Sequence, residues 1–153
     1  MLLALTAKPN EINWRFDPEL RKAYLQVLNL QTDEASIQLN KLSGRTNPLH
    51  LLYVQSLCET LDVLISEDAE KFAVIEKNFA KRIKYLQDMP VSAETLFLQA
   101  ELQLQRGFNF LNLGQEFNSI WAIRSAYNLS EECLQKFPGF TRLKKPMVLF
   151  RSW

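Results

Sequence analysis

The distribution of proline and glycine is the strongest constraint on how this chain folds. The chain has six prolines and four glycines in 153 residues, and the stretch 49–89 contains neither. Pro18, Pro48, Pro90 and Pro138 stand at the edges of long segments that lack both residues. Proline costs about 3 kcal/mol inside a helix but little in its first turn. This placement therefore predicts helices that begin or end at prolines and are grouped into hairpins.

Size and composition indicate one globular domain. A chain of 153 residues is long enough to bury a core, and its hydrophobic fraction of 47% and charged fraction of 23% are ordinary for such a domain. No apolar run approaches the roughly 20 residues that a membrane-spanning helix needs. We therefore expect no integral membrane segment.

Capping signals predict the first two helices. Asp17 is a good N-cap and Pro18 suits the first helical position, so the first helix should run from Pro18 to about Leu30. Thr32 is a plausible N-cap for a second helix that ends near Gly44. Because the connection is only a few residues long, the two helices should pack side by side and antiparallel.

The next two helices differ in their apolar pattern. The third begins at Asn47-Pro48 and carries apolar stripes on two sides, which is expected of an inner helix packed on two sides. Ser66 is the candidate N-cap of the fourth helix, which has acidic residues in its first turn and basic residues in its last. A single regular apolar stripe makes this fourth helix an amphipathic surface helix.

Two further helices complete the predicted domain. Ser92 opens a fifth helix that should end near Arg106-Gly107, and a last helix should continue to Phe137, where Pro138-Gly139 ends it. The segment 107–114 is ambiguous, and either a kinked helix start or a buried turn would fit its mixture of glycine, asparagine and large apolar residues. The prediction is an all-α domain over residues 17–140 with about six helices in antiparallel hairpins.

The two ends of the chain differ from this domain. Residues 1–16 read as an extended N-terminal lead whose first seven residues are apolar, which fits either the remnant of a signal peptide or a frayed terminus. A cytoplasmic and a cell-envelope location both stay open. Residues 141–153 form a basic tail that is either an extended cap or the start of a further, missing repeat. Its cations leave 14 basic and 17 acidic residues before it, so a nucleic-acid partner is not expected.

The sequence contains few residues that could support catalysis. His50 is the single histidine, and its position beside the main stripe favours a surface or partly packed side chain. Cys58 and Cys133 lie at apolar-stripe positions, where free cysteine behaves as a small hydrophobe. No metal-binding or phosphate-binding motif is present, and the carboxylate pairs on the helices are typical of solvated faces. We therefore expect no catalytic residue, no cofactor and no metal, and a protein that is not an enzyme.

A partial repeat pattern resembles the tetratricopeptide repeat. That 34-residue pattern has bulky residues and small residues at fixed positions and a proline at its end. The residues at matching spacings in this chain are Phe110, Leu113, Gly114, Phe117, Ala126, Cys133 and Pro138. In that register a bend would fall near 119–122. The other register pairs the helix at 92–106 with one at about 116–137, across a long connection. The chain from Trp14 to Phe140 resembles the N-terminal part of tetratricopeptide-like (TPR-like) proteins of Bacteroidetes, which implies hairpins stacked as a right-handed α-α superhelix.

This resemblance implies a non-catalytic module for protein or peptide binding or scaffolding. Its first, third and fifth helices would present a shallow concave surface, and the candidate contacts are polar residues off the main stripes: Gln26, Gln55, Glu59, Asp62, Gln99 and Gln103. A self-association module, which would make the protein a homo-oligomer, is the first alternative. A small-ligand-binding helical domain or an enzyme is the second.

Overall fold

A computed structural model describes residues 15–140 of the chain and confirms the all-α prediction. The described residues contain six helices and no strand. The helices are α1 (Pro18–Leu28), α2 (Thr32–Lys41), α3 (Pro48–Ser66), α4 (Ala69–Gln87), α5 (Ala93–Asn112) and α6 (Glu116–Lys136). The proposed lead (1–16), except for residues 15 and 16, and the proposed tail (141–153) lie outside the described residues.

Two of the predicted starts are fixed by local capping bonds. The Asp17 carboxylate accepts a hydrogen bond from the backbone N–H of Leu20 at 2.9 Å and another from the Thr46 hydroxyl. These bonds, the Leu20 bond above all, hold the pKa of Asp17 below its ordinary value. At α3 the Asn47 side chain accepts from the N–H groups of Leu49 and His50 at 2.9 and 3.2 Å. Both helices therefore begin at their prolines.

The predicted N-cap of α4 is wrong by two residues. Ser66 is the last residue of α3, and Glu67 ends that helix in the left-handed conformation, with φ of 52°. Asp68 caps α4 by accepting from the N–H groups of Glu70 and Lys71 at 2.9 and 3.0 Å. The sequence offered Ser66 as an equally good cap because nothing local marks Glu67 as a residue with positive φ.

The predicted end of α5 is also wrong, since this helix continues through Gly107 to Asn112. A Cβ atom on Gly107 would lie 2.8 Å from Cγ1 of Ile123, so the glycine permits close approach of α6 rather than ending the helix. The turn comes at Gly114, with φ of 72°. Since α6 is continuous across 119–122, the chain follows the register that pairs α5 with α6, through a short connection instead of a long one.

The helices pack in chain order. Each odd helix packs against the even helix that follows it, and α3 contacts α1, α2, α4 and α5. In the same way α5 contacts α3, α4 and α6, whereas the even helices make no comparable contact with one another within residues 15–140. This gives α3 the inner position expected from its two apolar sides.

Candidate functional site

The two acidic candidates on α3 are engaged by neighbouring helices. Glu59 accepts from both guanidinium nitrogens of Arg82 at 2.5 and 2.9 Å and from the amide of Asn78 at 3.2 Å. Asp62 lies 2.8 Å from the ammonium of Lys71, whose pKa it raises, and accepts from the Thr32 hydroxyl at 3.1 Å. These carboxylates fasten α3 to α4 and α2, because bidentate and charge-assisted bonds hold such contacts in one geometry.

The four glutamine candidates are distributed over three helices. Gln99 on α5 is only 6% exposed, so it offers a partner almost no surface. Gln26 on α1, Gln55 on α3 and Gln103 on α5 are half-buried. The side-chain oxygens of Gln26 and Gln103 are buried and have no hydrogen-bond partner among the described residues. Of the six candidates, Gln26, Gln55 and Gln103 are therefore the ones that keep exposed surface and take part in no ion pair between the described helices.

An open groove lies beside Gln26 at the first helix. Its volume is about 900 Å³, and the residues that line it include the cations Arg15, Arg21 and Lys22. Asp17 also lines it, but its carboxylate is occupied by the helix cap and by Thr46. The groove is broad and open, whereas a small-molecule site usually encloses most of its ligand.

Polar side chains that the sequence analysis passed over form a buried seam between α3 and α5. The side-chain oxygen of Gln105 accepts from the hydroxyls of Ser56 at 2.6 Å and Thr60 at 3.2 Å. Asn109 follows one turn later and is fully buried, as is Gln105. We call these four residues the polar seam. The spacing of Gln105 and Asn109, one helical turn apart, was the available signal.

Contacts made by three successive residues fix the directions around α5. Gln105 bonds to α3, Arg106 pairs with Glu76 of α4, and Gly107 lies against α6. Successive helical residues are about 100° apart, so these contacts leave one side of α5 that none of them uses. Phe97 and Phe108 lie toward that side, and Glu101 lies one turn before Gln105, at the edge nearest α3. The Phe140 ring packs edge-on against Phe97 with a centroid separation of 5.6 Å.

The three most exposed large apolar side chains among the described residues lie on α6. Phe117 is 84% exposed and Trp121 is 68% exposed, and Ile120 and Tyr127 are also exposed on the same side. We call these four residues the α6 face. A fully buried aromatic side chain covers 150–250 Å², so the three rings alone expose roughly 400 Å². Apolar patches of several hundred Å² are often contact surfaces.

The sequence contained a signal for the α6 face that periodicity alone did not resolve. The sequence predicts a helical stripe of large residues in this segment, with Ala122 and Ala126 permitting close approach. Its members are Phe117, Ile120, Trp121, Ile123, Tyr127, Leu134 and Phe137. The structure buries the small side instead, which comprises Ser119, Ala122, Ala126 and Cys133. Because these small residues let α6 lie close to α5, the large residues face outward.

The remaining reactive groups are packed into the core. Cys58 and Cys133 are free and buried, and burial raises the pKa of each thiol to about 11. His50 is 8% exposed and stacks edge-on with Phe16 at 5.4 Å, so the predicted surface or partly packed histidine is in fact buried. Within residues 15–140, no cluster of three or more histidine, cysteine or acidic side chains is arranged to hold a metal ion.

Comparisons with known proteins add no family to this description. Neither the protein-family models, nor the curated proteins, nor the solved structures gave a match to the chain. No helix in the described part of the chain is both long enough and apolar enough to cross a membrane. The functional argument therefore depends on the geometry described above.

Proposed function

We propose that this chain is a non-catalytic, TPR-like helical module that binds a protein partner, and that it receives an amphipathic helix of that partner on the α6 face. The observation that carries the proposal is the exposure of Phe117 and Trp121, which no described residue covers. Large aromatic side chains contribute most of the binding energy in protein contacts. No cofactor enters this function.

The packing order supports a helix as the occupant. α3 packs against both α1 and α2, and α5 packs against both α3 and α4. Each of the even helices α2 and α4 therefore lies between two odd helices, whereas α6 makes no comparable contact with a described helix other than α5. A helix from a partner would complete for α6 the arrangement that α2 and α4 already have.

The residues of the α6 face define the chemistry of that helix. Its apolar residues should recur at three- and four-residue spacing to cover Phe117, Ile120, Trp121 and Tyr127. Arg124 is exposed and lies among them on the helix surface. A partner helix with one carboxylate beside its apolar stripe would pair with this guanidinium and fix the orientation of binding.

The surface expected from sequence has less support. Of its six candidates, Glu59 and Asp62 are held in ion pairs and Gln99 is buried. Gln26, Gln55 and Gln103 retain exposed area, but none of them is an aromatic side chain that could anchor a partner as Phe117 and Trp121 could. We therefore assign partner binding to α6 and give these glutamines, at most, a peripheral role.

The experiment selects displayed amphipathic helical peptides on the full chain and measures their Kd for two double variants. F117D/W121D should weaken the selected peptides at least 100-fold, which is about 2.7 kcal/mol. V74D/Y85D places the same charges on two exposed apolar residues of α4 and should change Kd less than threefold.

Four outcomes contradict the proposal. Selection that yields no binder, or equal weakening by both double variants, excludes a helix site on α6. Light scattering that shows a dimer lost only in F117D/W121D assigns the face to a second copy of the chain. The triple variant Q26A/Q55A/Q103A could weaken peptide binding as strongly as F117D/W121D does. That result would place the peptide contact on α1, α3 and α5.

A further inference from the structure

The open groove at α1, which we call the α1 groove, lies on the side of that helix that faces away from α2 and α3. The buried residues of α1 share one side of the helix and are Leu20, Ala23 and Val27. Arg21, Lys22 and Leu25 line the groove. Successive helical residues are about 100° apart, so these three lie on the opposite side from the buried ones. The α1 groove is therefore at the outer end of the helical stack.

The cations of the α1 groove have no anionic partner in the described part of the chain. Arg15, Arg21 and Lys22 are exposed, and none of them forms an ion pair with a residue in 15–140. Asp17 is the one acidic residue among the described residues that line the groove, and its carboxylate is already bonded within the fold. The groove therefore carries a net positive charge that the fold does not use.

This local charge is opposite to that of the described chain as a whole. Residues 15–140 contain 13 basic and 16 acidic side chains. A nucleic acid would therefore meet repulsion beyond the groove, whereas a short acidic peptide needs only the local cations. The rest of the chain does not supply such a peptide, since 1–14 contains one lysine and one glutamate and 141–153 contains no acidic residue. The charge favours an acidic segment of another protein.

The dimensions of the α1 groove define the peptide that would fit it. Its lining extends along α1 from Pro18 to Asn29, which is about 16 Å and matches about five extended residues. Leu25 is 47% exposed and lies one turn after Arg21, about 6 Å along the axis. Alternate side chains of an extended peptide point the same way and are about 7 Å apart. A carboxylate and an apolar side chain two positions apart would therefore meet Arg21 and Leu25.

We propose that the α1 groove binds an acidic, extended peptide segment of a protein partner. One carboxylate pairs with Arg21 and Lys22, and an apolar residue two positions away packs on Leu25. Arg15 attracts a further carboxylate at the edge of the groove. The contact is separate from the α6 face, and because it is largely ionic it weakens as the salt concentration rises.

NMR titration of the ¹⁵N-labelled full chain tests this contact, with the peptide Glu-Glu-Ser-Leu-Ser-Glu-Glu as the probe. We expect saturable binding with a Kd below about 1 mM at low salt, and amide shifts concentrated in residues 15–29. A peptide with lysine in place of every glutamate should bind at least tenfold more weakly. The reversed charge would then meet the groove cations as repulsion.

Matched variants separate the groove from general charge attraction. R21Q/K22Q should weaken the acidic peptide at least tenfold, whereas K77Q/K81Q removes two exposed cations of α4 and should change Kd less than twofold. L25S should weaken the peptide at least threefold and should not affect a version with serine in place of leucine. An unchanged circular dichroism spectrum shows that each variant is folded.

The proposal is overturned if no saturable binding occurs below about 1 mM, or if R21Q/K22Q and K77Q/K81Q weaken binding equally. A dimer that R21Q/K22Q dissociates, seen by light scattering, would assign the groove to a second copy of the chain instead. Tighter binding of a single-stranded oligonucleotide, lost in R21Q/K22Q, would assign it to nucleic acid. F117D/W121D should leave the Kd of the acidic peptide within twofold, so failure of helix binding on α6 is distinguishable from failure here.

Discussion

The two helices of the third hairpin are nearly equal in length and opposite in burial. Fourteen of the 20 residues of α5 are buried, against four of the 21 residues of α6. Both contain large apolar residues at helical spacing, so apolar content does not explain the contrast. The number of neighbouring helices explains it, because α5 packs against α3, α4 and α6 while α6 makes no comparable contact with a described helix other than α5. One side of α6 is therefore exposed.

The largest expected effect is the loss of a core side chain from α5. Leu102→Ala should lower the free energy of unfolding by about 2–5 kcal/mol, because Leu102 is fully buried and the substitution leaves a cavity. Urea denaturation measures the change. Ile120→Ala on the α6 face is the matched substitution and should cost far less. Similar losses for both would mean that α6 is as well packed as α5.

The contact between the two helices should be the next most sensitive place. Gly107→Leu should destabilise the fold by about 1–3 kcal/mol, since even a Cβ at this position meets Ile123. Ala73→Leu adds the same side chain at an exposed position of α4 and serves as the control in urea denaturation. A neutral Gly107→Leu would contradict the close approach of α5 and α6.

A smaller effect is expected from the thiols, of which Cys133 marks the covered side of α6. Its Sγ lies 3.6 Å from the carbonyl oxygen of Ala93 on α5. Burial raises the pKa of Cys133 and of Cys58 from 9.0 to about 11. Folding therefore favours the protonated thiols. The stability that the folded chain gains from this is fully present below pH 9 and is lost as the pH rises toward 11.

Unfolding measured at pH 8 and at pH 10.5 should show this loss, on the order of 1 kcal/mol for each thiol. Cys58→Ala/Cys133→Ala is the control, since it should flatten that part of the pH profile. Native thiols should also react slowly with a thiol reagent at pH 8. Rapid reaction of Cys133 would indicate that α6 separates from α5 readily.

The smallest effect is expected on the exposed side of α6. Trp121→Ala should change the free energy of unfolding by less than about 0.5 kcal/mol, because the ring contacts little of the fold. Thermal denaturation followed by circular dichroism measures it. A loss above 2 kcal/mol would show that Trp121 is covered in the folded chain and would remove the α6 face as a partner site.

Local signals predicted the helices well and their contacts poorly. The starts at Pro18 and Pro48 were predictable because Asp17 and Asn47 cap the next turn themselves. The prediction at Gly107 was wrong because this glycine serves the contact with α6. Helix propensity describes a residue's local preference and carries no information about such a contact. The α6 face was identified as a stripe but not as an exposed one, since periodicity locates a face without saying which neighbour covers it.

The polar seam has a consequence for how α3 and α5 align. The Ser56 and Thr60 hydroxyls reach the Gln105 oxygen in one relative position of the two helices. A slide of α5 toward the start of α3 would place the Gln105 amide opposite the apolar Leu49 and Leu52. Burying the Gln105 oxygen without these two donors would cost about 1–3 kcal/mol, so the seam favours the observed alignment. Two purely apolar surfaces on α3 and α5 could pack in several alignments. The helix stack would then have no single shape for a partner to bind.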